Sequence, residues 1–405
     1  MAVTNDAVTF PALREKTKPF DPPPAPVGAD GTPARVRIWD GTEAWLMTSY
    51  ADSKAVLSDE RFSADPNRPG FPEKSAAYQA AMAERNVRTL DNPDHDIEKR
   101  MLIRDFTVRR VSAIRPKIQE KVDGLIDAML QAGPPADIAT DLAFPVPTMV
   151  ICELLGVPYE DREFFGKRAN LCLSSEVSSD VASTAGRELE AYLETLIDRK
   201  NAEPADDLIS RLVVDVMRPG ERDRQHVIAQ AKLVLVTGHE TTANMIALSV
   251  LALLTNPDQL ELLNSSDDPA VLSNAIEELL RYISVAHTGR RRVAIEDVDV
   301  NGTLIRAGEG VIVANNVADR DESVFPDADR LDIRRENARQ TLAFGYGIHQ
   351  CMGQLLSRVE LQVVLGTLWK RMPTLRLAVP FDEVPFKEGG SVYGLHALPV
   401  EWDQG

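Results

Sequence analysis

The segment with the clearest potential for chemistry is FGYGIHQCMG, residues 344–353, which combines one cysteine with flanking glycines. Gly345 and Gly347 allow backbone conformations that residues with side chains resist. The apolar run 352–364 predicts a helix that begins just after Cys351. At a helix N-terminus, unpaired N–H groups and the helix dipole lower the pKa of a thiol. The spacing therefore predicts that Cys351 presents a thiolate to a metal.

A flat, metal-bearing ligand fits the surroundings of this cysteine. Gly353 lacks a side chain where such a ligand would press against the helix, and His349 lies two residues before the cysteine. Thiolate ligation of haem is the arrangement that favours cleavage of an O–O bond. The alternative interpretation is a buried structural cysteine on a glycine-rich turn.

FGYGIHQCMG resembles the haem-binding loop of the cytochrome P450 superfamily, F-x-x-G-x-H-x-C-x-G, at every fixed position. The resemblance extends from about Val36 to Trp402 and is closest to the soluble actinobacterial family that contains vitamin D and compactin hydroxylases. It implies a mainly α-helical cytochrome P450 fold with small β-sheets at the edge. It also implies haem b (iron protoporphyrin IX), with Cys351 on the iron and further contacts from Phe344, Gly345, His349 and Gly353.

Candidate catalytic residues lie in LVTGHETTAN, within the apolar region 233–254 that predicts a buried helix. Glu240 and Thr241 place an acid beside a hydroxyl, a pair that can relay protons through water in a closed pocket. Gly238 destabilises a helix by roughly 1 kcal/mol relative to alanine, so it needs a local reason. A flat ligand or a packing contact would supply one. The resemblance implies that this is the oxygen-binding helix and that Thr241 is its alcohol.

Thr237 is the position where this helix departs from the family pattern, which has alanine there. Two interpretations remain open. The hydroxyl can bond back to the carbonyl of Leu233, a common habit of helical threonine. Alternatively, the larger side chain narrows the space above the iron and contacts substrate or water.

Haem carries two propionates, which require cationic or hydrogen-bonding partners. The resemblance implies His95, Arg292 and His349 in this role, together with a basic residue four positions after His95. Lys99 stands there, where the family has arginine, and Arg100 follows it directly. Either side chain could serve.

The resemblance also implies where the substrate pocket lies. Its walls would come from the irregular stretch after residue 86, the predicted helix that carries Thr241, a segment near residue 285 and a turn near the C-terminus. The residues are Val87, Arg88, Leu90, Val234, Thr237, Val285, Ala286 and Tyr393. Most of them are apolar, which suits a ligand held mainly by shape.

The elements that position these residues are helices, with short strands at the edges. Residues 36–48 predict a hairpin around an Asp40-Gly41 turn, and residues 298–315 predict short strands around Asn301-Gly302. In EELLR, Glu278 and Arg281 share one helix face. The resemblance makes this pair a buried structural network, completed by a later arginine, either Arg330 or Arg334.

The whole chain of 405 residues lacks an internal linker or repeat, so residues 1–405 are predicted to form one domain, with 1–33 as an extended arm. Its net charge of −17 argues against nucleic acid as a partner. Locally the sign reverses, because six basic residues fall within residues 100–117. They form either a docking surface or an ordinary solvated helix face; they are Arg100, Arg104, Arg109, Arg110, Arg115 and Lys117.

Three cysteines in so long a chain make a disulfide framework improbable, and the first residues lack the pattern of a signal peptide. His239 and Glu240 inside the most apolar region argue against a membrane anchor. We therefore expect a cytoplasmic monomer.

The predicted function is hydroxylation of an apolar, medium-sized molecule such as a secondary metabolite, macrolide, sterol or statin-like compound. O₂ would be the oxidant, and ferredoxin with ferredoxin reductase would supply two electrons, because the sequence shows no flavin or nicotinamide fingerprint. Three alternatives remain: a haem-thiolate peroxygenase, a nitric-oxide-reductase-type enzyme and a non-catalytic haem sensor.

Overall fold

The structure is a computed structural model that describes residues 8–28, 31–174, 176–387 and 390–404. Residues 1–7 and 29–30 of the predicted N-terminal arm lie outside these ranges. The described residues form thirteen α-helices: α1 (Tyr50–Ser58), α2 (Ala76–Ala81), α3 (Asp94–Leu102), α4 (Val108–Ala132), α5 (Pro145–Leu155), α6 (Arg162–Leu173), α7 (Ser179–Ala202), α8 (Leu208–Leu212), α9 (Arg224–Leu254), α10 (Pro257–Asn264), α11 (Pro269–Ile283), α12 (Asn315–Ala318) and α13 (Gln354–Arg371).

The strands in the same ranges are short. They are β1 (Val8–Thr9), β2 (Ala34–Arg37), β3 (Glu43–Met47), β4 (Phe62–Ser63), β5 (Ala136–Asp137), β6 (Arg290–Ala294), β7 (Val298–Val300), β8 (Thr303–Ile305), β9 (Gly310–Val313), β10 (Arg376–Leu377), β11 (Phe386–Lys387), β12 (Gly394–Leu395) and β13 (Pro399–Glu401). The mainly α-helical prediction is confirmed.

Helix starts follow from side chains that accept hydrogen bonds from unpaired backbone N–H groups. Ser49 caps α1 by accepting from the N–H of Asp52, and Asp223 caps α9 by accepting from the N–H of His226. The 31-residue helix α9 is buried along most of its length and packs against α5, α6, α7, α11 and α13. It is the central element on which the cavity described below is built.

The largest sheet has the strand order β1-β2-β3-β9-β6-β4. The predicted hairpin is present, with Val36 opposite Ala44, and β7 pairs with β8 around the Asn301-Gly302 turn. Strand β6 pairs antiparallel with β9. Because side chains alternate along a strand, Arg290 and Arg292 of β6 share one face.

Glu278 lies at the centre of a buried ion network. Arg281 donates to it through Nε at 2.7 Å and through a second nitrogen at 2.8 Å, and Arg335 Nε lies 3.1 Å from both carboxylate oxygens. The prediction that Arg330 or Arg334 completes this network is therefore wrong. Arg334 is exposed, whereas a turn from Asp332 to Arg335 directs the Arg335 side chain back to α11.

Within the described residues, no single helix is long and apolar enough to cross a bilayer. The pair Arg224–Leu254 and Pro257–Asn264 meets the length and composition requirement only together, and it is bent by 101°.

Candidate functional site

A cavity of about 290 Å³ lies between α9 and the loop that carries Cys351. Thr237, Gly238 and Thr241 of α9 line one side of it, and Phe344, His349, Cys351 and Gly353 line the other. A second cavity of about 70 Å³ adjoins it and is lined by Arg292 and Gly345. Most of the residues predicted to contact a cofactor therefore meet around one connected space.

The cysteine loop has the conformation that its glycines predicted. Gly345 and Gly347 have φ values of +76° and +71°, and a Cβ on Gly347 would lie 2.2 Å from the carbonyl oxygen of Leu57. The N–H of Cys351 donates to the carbonyl of Phe344 at 2.9 Å, which closes the loop. Helix α13 begins immediately afterwards, so its N-terminus points at the sulfur.

The Cys351 thiol is exposed to the cavity although it lies deep in the protein. Burial raises its pKa, and Arg290, Arg358 and the N–H groups of Gly353 and Gln354 lower it by less. The net direction is opposite to the predicted lowering, because desolvation outweighs the helix N-terminus. A metal cation at the sulfur would favour the thiolate strongly.

On the opposite wall, α9 presents two threonines to the cavity. Thr237 Oγ1 donates to the carbonyl of Leu233 at 2.7 Å, and Thr241 Oγ1 donates to the carbonyl of Thr237 at 2.9 Å. The first bond agrees with the backbone-bonding interpretation of Thr237. A Cβ on Gly238 would lie 2.5 Å from Ile151 Cδ1, so a larger residue there would require the Ile151 side chain of α5 to shift.

Glu240 is buried but does not line the cavity. Lys387 Nζ donates to its Oε1 at 2.6 Å, and Asn244 Nδ2 donates to the same oxygen at 2.9 Å. The carboxylate thus faces Lys387 of β11, whereas Thr241 lines the cavity.

Basic groups gather at one end of the cavities. His95 and His349 form an edge-to-face pair with ring centroids 4.4 Å apart. Lys99 lines the main cavity and donates to the carbonyl of Ile348, whereas Arg100 is exposed and donates to the carbonyl of Asp96. Of the two alternatives for the basic residue after His95, the structure therefore places Lys99 at the cavity.

Burial lowers the pKa of these groups. The pKa of Arg292 falls to about 10 through burial and then the charge of Arg290. Burial, followed by Arg292, His95 and Lys99, lowers the pKa of His349 to about 2. Anions at this end would relieve the repulsion among these groups.

Six of the eight predicted pocket residues line the main cavity: Val87, Arg88, Val234, Thr237, Val285 and Ala286. Leu90 and Tyr393 do not. A turn from Asn86 to Thr89 puts Val87 and Arg88 at its tip, with Leu90 beyond it. The Tyr393 ring is held between Arg14, 3.9 Å from its centroid, and Phe386, whose centroid is 5.9 Å away.

A buried lysine ties together three elements around the cavity. Lys232 of α9 donates to Glu84, in the segment after α2, at 2.7 Å and to Glu190 of α7 at 2.6 Å. Helix α2 also packs closely on α7, where a Cβ on Gly186 would lie 3.1 Å from the carbonyl oxygen of Ala81. These contacts hold α2, and with it the cavity-lining Tyr78, against α7.

Sequence reasoning missed several residues of the site, above all Lys74, Arg290 and Lys387. A signal for Arg290 was available, since strand alternation puts it on the face of Arg292. Lys387 had no local signal, because its partner Glu240 lies 147 residues earlier in the chain.

Glu360 of α13 is a buried cavity-lining carboxyl whose Oε2 has no hydrogen-bond partner among the described residues. Burial raises its pKa to about 8. Since the folded state holds this proton more tightly than the unfolded state, its stabilising contribution is full below pH 4.5 and is lost as the pH rises through 8. One such proton changes the free energy of unfolding by at most about 1.4 kcal/mol per pH unit.

We therefore expect the melting temperature of Glu360→Gln to fall less steeply than that of the wild type between pH 5 and pH 8. The melting temperature of the variant relative to the wild type should thus increase as the pH rises. Melting temperatures of both proteins across this range provide the measurement. Glu336→Gln, at an exposed position, is the control and should follow the wild type. Parallel profiles for wild type and Glu360→Gln would show that the carboxyl is not protonated in the folded protein.

The cavity fits a planar, dianionic metal complex. The sulfur of Cys351 is available to bind the metal, and open space separates it from α9. Cationic side chains line one end of the two cavities, where the two carboxylates of such a complex would lie. Cys351 could thus hold an iron, while His95, Lys99, Arg292 and His349 could hold two propionates.

The six-residue basic cluster lies on the side of the molecule where α4 packs on α13, the helix that follows Cys351. Several of its members bond to neighbours: Arg110 with Asp206, Lys117 with Glu153, Arg104 with Asp215 and Arg115 with Gln362. Arg109 is exposed and, among the described residues, forms no ion pair.

Comparisons with known proteins agree with this geometry. The cytochrome P450 family model matches residues 173–375. Cytochrome P450 GfsF of Streptomyces halstedii is 46% identical over 98% of this chain and 97% of its own. Vitamin D3 dihydroxylase of Streptomyces griseolus is 44% identical over 98% of each chain. The crystal structure of the mycinamicin VIII C21 methyl hydroxylase of Micromonospora griseorubida, bound to mycinamicin VIII, superposes with a TM-score of 0.89 at 39% identity, covering 98% of this chain and 100% of that one.

Proposed function

This chain belongs to the cytochrome P450 family and is a monooxygenase, and from that premise we propose that it hydroxylates a medium-sized, largely apolar secondary metabolite. Electrons would come one at a time from a ferredoxin and its reductase. The observation that carries the proposal is that Cys351 and Thr241 line the same cavity from opposite walls. Relatives named for hydroxylation of vitamin D3 and of mycinamicin VIII support the substrate class.

The family implies a haem cofactor, and the residues around the cavity fit it. When bound through a thiolate, haem supplies the chemistry that favours O–O bond cleavage. In our proposal Cys351 holds the iron, with the N-terminus of α13 stabilising the negative sulfur. Lys99, Arg292 and the two histidines hold the propionates and so fix the orientation of the ring.

The apolar wall excludes water and orients the substrate by shape. Val87, Val234, Val285 and Ala286 are apolar members of this wall. Their positions set which carbon of the substrate reaches the reacting centre, because orientation within such a pocket selects among similar bonds.

Thr241 is proposed to deliver protons in the cavity. Its hydroxyl follows Glu240 directly in the sequence, lines the cavity and donates to the carbonyl of Thr237. Because Lys387 and Asn244 occupy the Glu240 carboxylate, proton transfer from Glu240 requires water to replace one of them. In this proposal Glu240 therefore relays protons towards Thr241 only through such a water molecule.

The experiment that tests this role is Thr241→Ala. The variant should keep the haem spectrum of the wild type but divert most of the electrons consumed into hydrogen peroxide, since proton delivery supplies roughly a 10²–10⁴-fold effect in enzymes. Product and peroxide per NADPH consumed, with an external reductase system, are the measurements. Thr241→Ser retains the hydroxyl and should restore coupling; unchanged coupling in Thr241→Ala would reject the role.

The six-residue basic cluster is proposed as the docking surface for an acidic ferredoxin, because it lies beside the helix that follows Cys351. Arg109→Glu combined with Arg104→Glu should slow the first electron transfer about tenfold or more at low salt, with less effect at high salt. Stopped-flow reduction of the haem at two ionic strengths measures this. Arg187→Glu on α7 is the control, and equal rates in all three proteins would make the cluster a solvated helix face.

A further inference from the structure

The two cavities share three basic side chains that the propionate assignment above does not include. Lys74, Arg88 and Arg290 line both the main cavity and the smaller one, and we call them the basic wall. Within the part of the chain that the structure describes, none of the three forms an ion pair with a carboxylate. The Nε of Arg88 is buried without a hydrogen-bond partner. Such groups are unfavourable unless something pairs with them.

The charges around the cavities do not balance when two propionates are added. Besides His95 and His349, six lysine and arginine side chains line the two spaces: Lys74, Arg88, Lys99, Arg290, Arg291 and Arg292. The lining carboxyls among the described residues are Glu73 and Glu360, and burial raises the pKa of Glu360 to about 8, which keeps it mostly protonated at neutral pH. A positive charge therefore remains beside the substrate space.

Two members of the basic wall, Lys74 and Arg88, lie in a different segment from the groups assigned to the propionates. Lys74 and Arg88 flank α2 and belong to the same segment as Tyr78 and Val87, which line the main cavity. Both cations lie against the Tyr78 ring, with Lys74 Nζ 4.6 Å and Arg88 Cζ 5.4 Å from its centroid. Two cations thus pack against one aromatic ring. Each gains a weak cation–π interaction, and the N–H groups of both side chains remain available for hydrogen bonds.

The positive charge of Lys74 is disfavoured by burial and by the neighbouring arginines. Burial, followed by the charges of Arg88, Arg290 and Arg291, lowers the pKa of Lys74 well below its usual value. An anion placed between Lys74 and Arg88 would offset both effects, since charge-assisted hydrogen bonds to a carboxylate are among the stronger polar contacts.

We propose that the substrate is an apolar molecule bearing one carboxylate, which Lys74 and Arg88, with Arg290 behind them, bind at the edge of the main cavity. This inference rests on the proposed function and specifies its substrate class. The carboxylate end is held by the basic wall, while the apolar body extends along Val87, Val234 and Val285. One fixed anionic end would determine which carbon lies near Thr241.

The test compares three acids with their methyl esters: dodecanoic acid, a cholanic acid and phenylbutyric acid. Isothermal titration of the haem-loaded protein at pH 7.5 measures affinity without requiring turnover. At least one acid should bind about tenfold or more tightly than its ester, because hydrogen bonds to charged groups are stronger than neutral ones. Higher salt should reduce this preference.

The variants Lys74→Gln and Arg88→Gln, singly and combined, should remove the preference for the acid, because they weaken binding of the acid more than binding of the ester. Arg85→Gln is the matched control, since Arg85 lies in the same segment, is exposed and faces Asp94 at 3.5 Å. It should behave as the wild type. Haem content and the reduced carbon monoxide spectrum of each sample show whether the variants still bind haem normally.

The proposal is wrong if no acid binds more tightly than its ester, if none of the acids binds, or if the preference survives in the double variant. These outcomes are separate from failure of the proposed function, which the carbon monoxide spectrum and product formation in the same samples report. A normal carbon monoxide spectrum together with no preference for acids would support the proposed function and contradict the proposed carboxylate substrate.

Discussion

Replacing Cys351 by serine should abolish product formation, with a loss larger than the roughly 10–100-fold typical of changes to residues that only support a metal ligand. A serine hydroxyl is a poor ligand for iron, and without the thiolate the electronic push that favours O–O cleavage is lost. The measurement is product formed per haem, with haem content determined separately so that loss of cofactor is not mistaken for loss of chemistry.

The two other cysteines provide matched controls. Cys152 and Cys172 are buried, burial raises their thiol pKa values to about 12 and about 11, and neither lines the main cavity. Cys152→Ser and Cys172→Ser should retain turnover per haem, at a small cost in stability for a buried hydroxyl. Turnover in Cys351→Ser similar to that of these controls would remove the basis of the proposed site.

Arg335→Ala should destabilise the fold by about 3 kcal/mol or more, because it removes one partner of a buried carboxylate. Glu278 is fully buried and accepts from both Arg281 and Arg335, and Arg335 also donates to the carbonyl of Asp327 at 3.0 Å. The Glu278 carboxylate and the Asp327 carbonyl would each lose the hydrogen bonds that Arg335 donates. Denaturant midpoints or melting temperatures of the haem-loaded protein measure the effect.

Arg334→Ala is the control one residue away. Its side chain is exposed, so its removal should change the free energy of unfolding by less than about 0.5 kcal/mol. Equal destabilisation by the two substitutions, or none by Arg335→Ala, would contradict the assignment of the network.

Features with a local cause were predictable from the sequence. The glycines at 345 and 347, the hairpin around Asp40-Gly41 and the helix after Cys351 each depend on neighbouring residues, and each is present. The predicted cofactor contacts also gather at one place, because a motif fixes both residue type and spacing. Lys99, rather than Arg100, faces the cavity because of the direction it takes on α3.

Features that depend on distant partners were not predictable. Nothing near Glu240 indicates that Lys387 will neutralise it, and nothing near Lys232 indicates Glu84 and Glu190. The net direction of the Cys351 pKa was missed for the same reason, because burial depends on the whole fold whereas the helix N-terminus is local. Tyr393 does not line the cavity. Its ring packs against the guanidinium of Arg14, which is far away in the sequence.

The central claim is that the Cys351 thiolate binds the iron of a haem in this cavity, and the Soret band of the reduced protein under carbon monoxide tests it most directly. We expect the strongly red-shifted band that thiolate ligation produces. A band at the position typical of histidine-ligated haem, in protein that is folded and fully loaded, would contradict the claim.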